Sequence, residues 1–177
     1  AMSQQGYVSR YDLVTGHQQM IRPVHPNGEY LSFNWNAAIA QDPFDENAIF
    51  FGSQYVHDSI DRENNWDIIS PDLTTNDPEK QKQHESGGLT FDATGAENYT
   101  PMLTIEASTL DRNVIWVSTD DGNVKLSTDR GKAWQSVANK IQDAPVGSWV
   151  TQINASKYDP AEAIIVINNY RRNDWKP

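Results

Sequence analysis

One plan is written into this chain twice. Leu103 to Val137 reads LTIEASTLDRNVIWVSTDDGNVKLSTDRGKAWQSV, and Ile39 to Ile69 reads IAQDPFDENAIFFGSQYVHDSIDRENNWDII. Ser59, Asp61 and Trp66 fall where Ser127, Asp129 and Trp134 fall. A partial third copy begins at Ile153. Ile39, Ile105 and Ile153 each precede an aspartate by six residues, at Asp45, Asp111 and Asp159, and apolar pairs follow at Ile49-Phe50, Ile115-Trp116 and Ile164-Ile165. A unit that recurs in this way cannot bury its apolar faces alone and must stack on its neighbours, which restricts the fold to repeat architectures.

The residues between the anchors select among those architectures. Phe33 to Gln41 reads as a strand, Asp42 to Asn47 as a turn, Ala48 to Ser53 as a second strand and Tyr55 to Ser59 as a third, with Trp66 to Ile69 as a short fourth after the turn Asp61 to Asn65. The second unit has strands near Met102 to Ala107, Asn113 to Ser118, Asn123 to Ser127 and Trp134 to Ala138. Its hairpin Asp120-Asp121-Gly122-Asn123 makes it two residues longer than the first unit, and Gly and Asn suit the positive φ of such a turn. No connection between these strands could hold a crossover helix, so each unit reads as one four-stranded antiparallel blade of a propeller.

Tyr7 to Leu13 and Gln18 to Arg22 form a hairpin with the character of an outer half-blade, and Trp149 to Ala155 with Ala163 to Ile167 form an inner half-blade. The reading is therefore all-β, a partial propeller. It has an outer half-blade at 7–22, a blade at 33–70, a long inter-blade loop at 71–101, a blade at 102–138 and an inner half-blade at 149–168. The two halves are complementary, so either a head-to-tail homodimer or the remaining blades of a parent chain is expected to complete them.

Composition narrows the partners. Twenty-four acidic against 14 basic side chains give a formal net charge of −10, with no basic stripe, which argues against nucleic acid and anionic membrane as partners. The absence of cysteine removes disulfides, thiolate metal sites and cysteine nucleophiles. No signal peptide is visible, and Ala1-Met2 reads as an expression remnant, so export stays open. The four histidines show no metal-ligand spacing, and Asp120 to Asn123 is explained by its hairpin without calcium. Neither a metal nor a cofactor is expected.

Ser127-Thr128-Asp129-Arg130-Gly131-Lys132-Ala133-Trp134 resembles the Asp-box, or bacterial neuraminidase repeat, Ser-x-Asp-x-Gly-x-Thr/Ser-Trp, found in sialidase, xyloglucanase and sortilin-like propellers. Ala133 replaces the Thr or Ser, and in the earlier copy Glu63 occupies the glycine position. Asp67 to Thr74, Gly87-Gly88-Leu89-Thr90, Glu97 to Pro101 and Trp116 to Gly122 extend the resemblance to large bacterial proteins of the sortilin-like, glycosyl-hydrolase-related repeat class. That resemblance implies a secreted or periplasmic protein and boxes on the propeller periphery. Ser59, Asp61, Trp66, Ser127, Asp129, Gly131 and Trp134 are accordingly expected to be structural, each carboxylate serving its own turn.

Polar and aromatic residues leading into the innermost strands are the candidate ligand-facing groups: Asn34, Trp35 and Asn36, then Glu97, Asn98 and Tyr99, then Trp149. An aromatic ring flanked by amides suits a sugar face or a peptide backbone. No pair of carboxylates stands out as catalytic, and no arginine cluster matches a sialidase clamp. The expected role is a non-catalytic scaffold for a protein, peptide or glycan, with a glycoside-hydrolase-like cleft completed by blades outside this sequence as the alternative.

Overall fold

The computed structural model describes residues 1–79, 81–82 and 99–169. Among them, strands β1 (Ser9–Tyr11) and β2 (Gln18–Met20) form a hairpin. Strands β3 (Ile39–Gln41), β4 (Ile49–Gly52), β5 (Val56–Ser59) and β6 (Asp67–Ile68) form a four-stranded antiparallel sheet in chain order. So do β7 (Met102–Ala107), β8 (Ile115–Thr119), β9 (Val124–Ser127) and β10 (Gln135–Ser136), and the last sheet pairs β11 (Trp149–Ala155) with β12 (Ala163–Asn168). The architecture is all-β, with antiparallel sheets of two, four, four and two strands in a partial propeller-like arrangement.

Among the described residues, three hydrophobic clusters lie between successive sheets. Val8 and Ile21 of the hairpin meet Phe33, Ala37 and Phe51; Phe50 and Val56 of the second sheet meet Met102, Ile105 and Val117 of the third; and Trp116, Val124 and Leu126 meet Val150 and Ile153 of the fourth. Because the middle sheets are covered on both faces, β4 and β8 are near-continuous apolar runs of aromatic and β-branched residues rather than alternating ones.

Two hydrogen-bonded devices recur along the chain. The turn after each innermost strand is an Asx-turn: Asn47 N–H donates to Asp45 Oδ1 at 3.0 Å, Asn113 N–H to Asp111 Oδ1 at 2.9 Å, and Ala161 N–H to Asp159 Oδ1 at 2.8 Å. Each outer hairpin opens with a valine whose carbonyl accepts from a residue thirteen positions on: Ile21 to Val8 at 3.0 Å, Ile69 to Val56 at 3.0 Å and Val137 to Val124 at 2.9 Å. The hairpin β1–β2 is thus the geometric equivalent of β5–β6 and β9–β10, although it lacks the Ser, Asp and Trp of their turns.

Some elements differ from the sequence reading. The strand expected from Phe33 begins only at Ile39, because Phe33 and Ala37 turn into the first cluster and the backbone bends at Trp35 and Asn36. The apolar pair assigned to Ile164-Ile165 shifts by one. The pairings Ala155↔Ala163 and Asn154↔Ile164 put Ala163 in register with Ile49 and Ile115, and Ile164 with Phe50 and Trp116. Most of the loop read at 71–101, including Glu97 and Asn98, lies outside the described residues.

Candidate functional site

Antiparallel connectivity divides the turns between two ends of the sheets. At one end lie the Asx-turns and the Ser-x-Asp turns; at the other lie the approaches to β3, β7 and β11 and the β4–β5 and β8–β9 turns.

The first end is a set of braces. Ser59 Oγ donates to Asp61 Oδ1 at 3.1 Å while accepting from Glu63 N–H at 2.9 Å, and Asn65 N–H donates to Asp61 Oδ1 at 3.0 Å. The later turn repeats this: Ser127 Oγ donates to Asp129 Oδ1 at 2.9 Å and accepts from Gly131 N–H at 2.7 Å, and Ala133 N–H reaches Asp129 Oδ1 at 2.9 Å. These bonds hold both carboxyls below the usual carboxylate range, the Asn65 side chain contributing most at Asp61 and the Ala133 N–H most at Asp129. The tryptophans look across to the preceding sheet. Trp66 Nε1–H donates to the Ile21 carbonyl at 2.8 Å and Trp134 Nε1–H to the Ile69 carbonyl at 3.1 Å. Each therefore ties one sheet to the last, which the repeat spacing alone did not reveal.

Charge adds a second tie. Arg130 donates to Asp42 Oδ2 at 2.7 Å and to Asp58 Oδ2 at 3.4 Å, with its guanidinium 5.4 Å from the centre of the Phe50 ring. Burial nevertheless pushes the Asp58 carboxyl up, against the pull of Arg130, because one of its oxygens is buried with no partner among the described residues. One sheet earlier the polarity is reversed. Arg10 stands where Asp58 stands and pairs with Glu63 at 3.3 Å.

Glu63 adopts φ 62°, in the region that Gly131 occupies at φ 90°, so the turn forms without glycine. Gly131 has less freedom. A Cβ there would lie 2.8 Å from both the Ile69 carbonyl oxygen and Cδ1 of its side chain. Gly131→Ala is expected to cost about 2 kcal/mol through backbone strain and displacement of the preceding sheet, read as a lowered urea midpoint; an unchanged midpoint would contradict the packing described.

The opposite end carries the candidate site. Asp120, in the β8–β9 turn, is fully buried and ties two other segments to that turn: its Oδ1 accepts from Thr100 N–H at 2.8 Å and its own N–H donates to the Pro101 carbonyl at 3.3 Å, while its Oδ2 accepts from Asn34 Nδ2 at 3.2 Å. Asp121 accepts from Thr75 N–H at 2.6 Å, from Asn123 Nδ2 at 3.2 Å and from the Thr119 hydroxyl. Gly122 backs onto Gly147, leaving no room for a side chain between them. Gln81 adds a bridge from Asn76 Oδ1 to Thr100 Oγ1.

The predicted ligand-facing residues distribute unevenly over this end. Asn34 is buried and turned to Asp120, and its Oδ1 accepts from Trp35 N–H at 2.7 Å. Trp35 is half-exposed, and with Asn36 and Tyr7 it lines a hollow against residues 2–5. Tyr99 precedes the buried Thr100, and Trp149 opens β11 opposite Asn168. Strand β7 packs against both β3 and β11, so the three approaches share one face. Sequence reasoning treated Asp120 and Asp121 as turn formers and missed their role as the knot of this face. The signal was present in the two residues by which this unit exceeds its earlier copy.

Chemically, the arrangement holds backbone. Both aspartates are occupied by N–H and O–H donors of their own chain, and among the described residues no group of three or more histidine, aspartate or glutamate side chains could hold a metal ion.

No protein-family model matches the sequence, and no curated protein matches it. Among solved structures the chain is similar to one titled YCF48 bound to D1 peptide, at 14% identity and a TM-score of 0.53, covering 93% of this chain and 42% of that one. The fold is propeller-like. The chain spans less than half the length of that structure, and at this identity the likeness concerns the fold alone.

Proposed function

We propose that this chain is a segment of an Asp-box propeller of the sortilin-like, glycosyl-hydrolase-related class. It acts as a non-catalytic scaffold that holds another chain, a polypeptide or a glycan, across the face where the innermost strands begin. The observation that carries this reading is the engagement of Asp120 and Asp121 by backbone donors, which makes them frame rather than acid and base. The polypeptide form gains support from the peptide bound in the structure of similar fold. The glycan form gains support from the half-exposed Trp35 ring beside Asn36. A secreted or periplasmic location belongs to the same proposal and is tested by cell fractionation.

Binding to peptide and glycan arrays, followed by titration of the best hit, tests the proposal. Trp35→Ala is expected to weaken that hit at least about tenfold while leaving the unfolding midpoint unchanged, since the ring is half-exposed. Binding to neither class, or binding indifferent to the three approaches, would remove the scaffold reading.

A further inference from the structure

A groove of about 970 Å³ runs between the third and fourth sheets, with Trp116, Leu126, Val137 and Ile141 on one side and Tyr158 and Ile164 on the other. It adjoins the outer edge of β12, which no strand covers among the described residues, whereas the equivalent edges of β4 and β8 are taken by β5 and β9. Ile164 shows what is missing. Phe50 and Trp116, its equivalents, are 1% and 6% exposed, while Ile164 is 72% exposed. Trp116 Nε1–H is also buried without an acceptor among the described residues.

We propose that a second copy of this chain fills the groove with its β1–β2 hairpin, head to tail. The hairpin has the geometry the site requires, because the thirteen-residue closure from Val8 to Ile21 matches those from Val56 to Ile69 and from Val124 to Val137. Carrying over the β4–β5 and β8–β9 registers sets Tyr11 opposite Ala163, Arg10 opposite Ile164, Ser9 opposite Ile165 and Val8 opposite Val166.

The tip of the hairpin matches the floor of the groove in polarity. Arg130, six residues after Val124, meets Phe50 and the carboxylates of Asp42 and Asp58 on the sheet before it. On the third sheet the counterparts of Phe50, Asp58 and Asp42 are Trp116, Leu126 and Ser108, so the arginine's acidic partners are gone. The residue six after Val8 is Val14. Val14 is 96% exposed and its neighbour Leu13 is 97% exposed, so two apolar side chains of the tip meet Trp116 and Leu126 in a groove whose lining also holds Lys140, Lys157 and Glu162. Gln18 stands where Trp66 and Trp134 stand, which brings an amide donor to the Val137 carbonyl in place of their indole N–H. Ala1 bonds Ser9 and Met2 bridges Val8 along the outer edge of β1. The partner's β12 replaces that short contact with a ladder from Val8 to Tyr11.

Each copy gives one hairpin and receives one, so two copies complete both incomplete sheets. Light scattering across a dilution series is expected to give twice the 20.0 kDa chain mass, falling to the monomer on dilution. Leu13→Lys with Val14→Lys, and separately Ile164→Lys, are expected to raise the dimer dissociation constant at least about tenfold without moving the circular dichroism spectrum, since all three residues are exposed. The chain has no cysteine, so a register test is clean. A mixture of Tyr11→Cys and Ala163→Cys is expected to form a disulfide heterodimer on mild oxidation that neither forms alone. A monomer at every concentration, or a dimer indifferent to these lysines and silent in the cysteine test, overturns the proposal.

Discussion

Asp120→Ala is expected to lower stability by about 3 kcal/mol, the largest loss from a single side chain at the end that carries the candidate site. The carboxylate is fully buried and serves Thr100 N–H and Asn34 Nδ2 together. Its removal leaves two buried donors without an acceptor, at about 1–3 kcal/mol each before local relaxation. The loss has a structural signature. Asn34 precedes β3 and Thr100 precedes β7, so both approaches come loose at once, and amide exchange is expected to accelerate at Thr100, Trp35 and Met102 before it does in β4 or β8. Asp120→Asn keeps the shape but sets an NH2 group against one of the two donors, and an intermediate loss follows. Urea unfolding of the three proteins ranks them, and an alanine variant as stable as the parent would mean that Asp120 is not the knot described.

The second large effect is a fall in stability with acid between about pH 6.5 and 4. His57 on β5 is fully buried, with Nε2 2.8 Å from Ser53 Oγ and no partner for Nδ1 among the described residues. Burial, with a smaller contribution from His25, lowers its pKa from 6.5 to about 4. The folded form therefore binds this proton less readily than the unfolded chain does. Stability from this source is complete above pH 6.5 and lost as the pH drops through about 4, amounting to about 3 kcal/mol over the window. Asp58, Glu63 and Glu106 work in the opposite sense, because burial raises their pKa values and acid relieves the cost of their charge. They blunt the fall. Unfolding midpoints measured from pH 7.5 to 4.5 should decline in the parent and flatten in His57→Gln, whose amide can still meet the Ser53 hydroxyl. Equal slopes in the two proteins would show that His57 is not the source.

The repeat was legible because its strongest marks are local. Asp45, Asp111 and Asp159 each bond the N–H two residues on, and a six-residue offset from an apolar anchor is enough to find them. The Ser-x-Asp turns at Ser59 and Ser127 were legible for the same reason. What depended on contact between sheets was not legible. Nothing in the spacing says that Trp134 bonds the Ile69 carbonyl as well as the Gly131 carbonyl of its own turn, or that Arg10, at the place of Asp58, pairs with Glu63, at the place of Gly131. Asn34 illustrates the same limit at the candidate site. Its position beside Trp35 placed it at the approach to β3, but only its partner at Asp120, 86 residues away, shows that the amide braces that end from within. The first hairpin was legible as an outer half-blade, but its residue-by-residue register with the later two was not, because its turn has no Ser, Asp or Trp at their marked positions and only the bond between Val8 and Ile21, thirteen residues apart, aligns them.

The central claim is that this face binds and does not cut. The most direct measurement is to incubate the protein with its best-binding peptide or glycan to equilibrium, release the ligand and weigh it by mass spectrometry. The account predicts intact ligand at every time and pH tested, with binding reduced by Trp35→Ala. Shortened products that disappear in Asp120→Asn or Asp121→Asn, in variants that still bind, would contradict it and make those carboxylates catalytic.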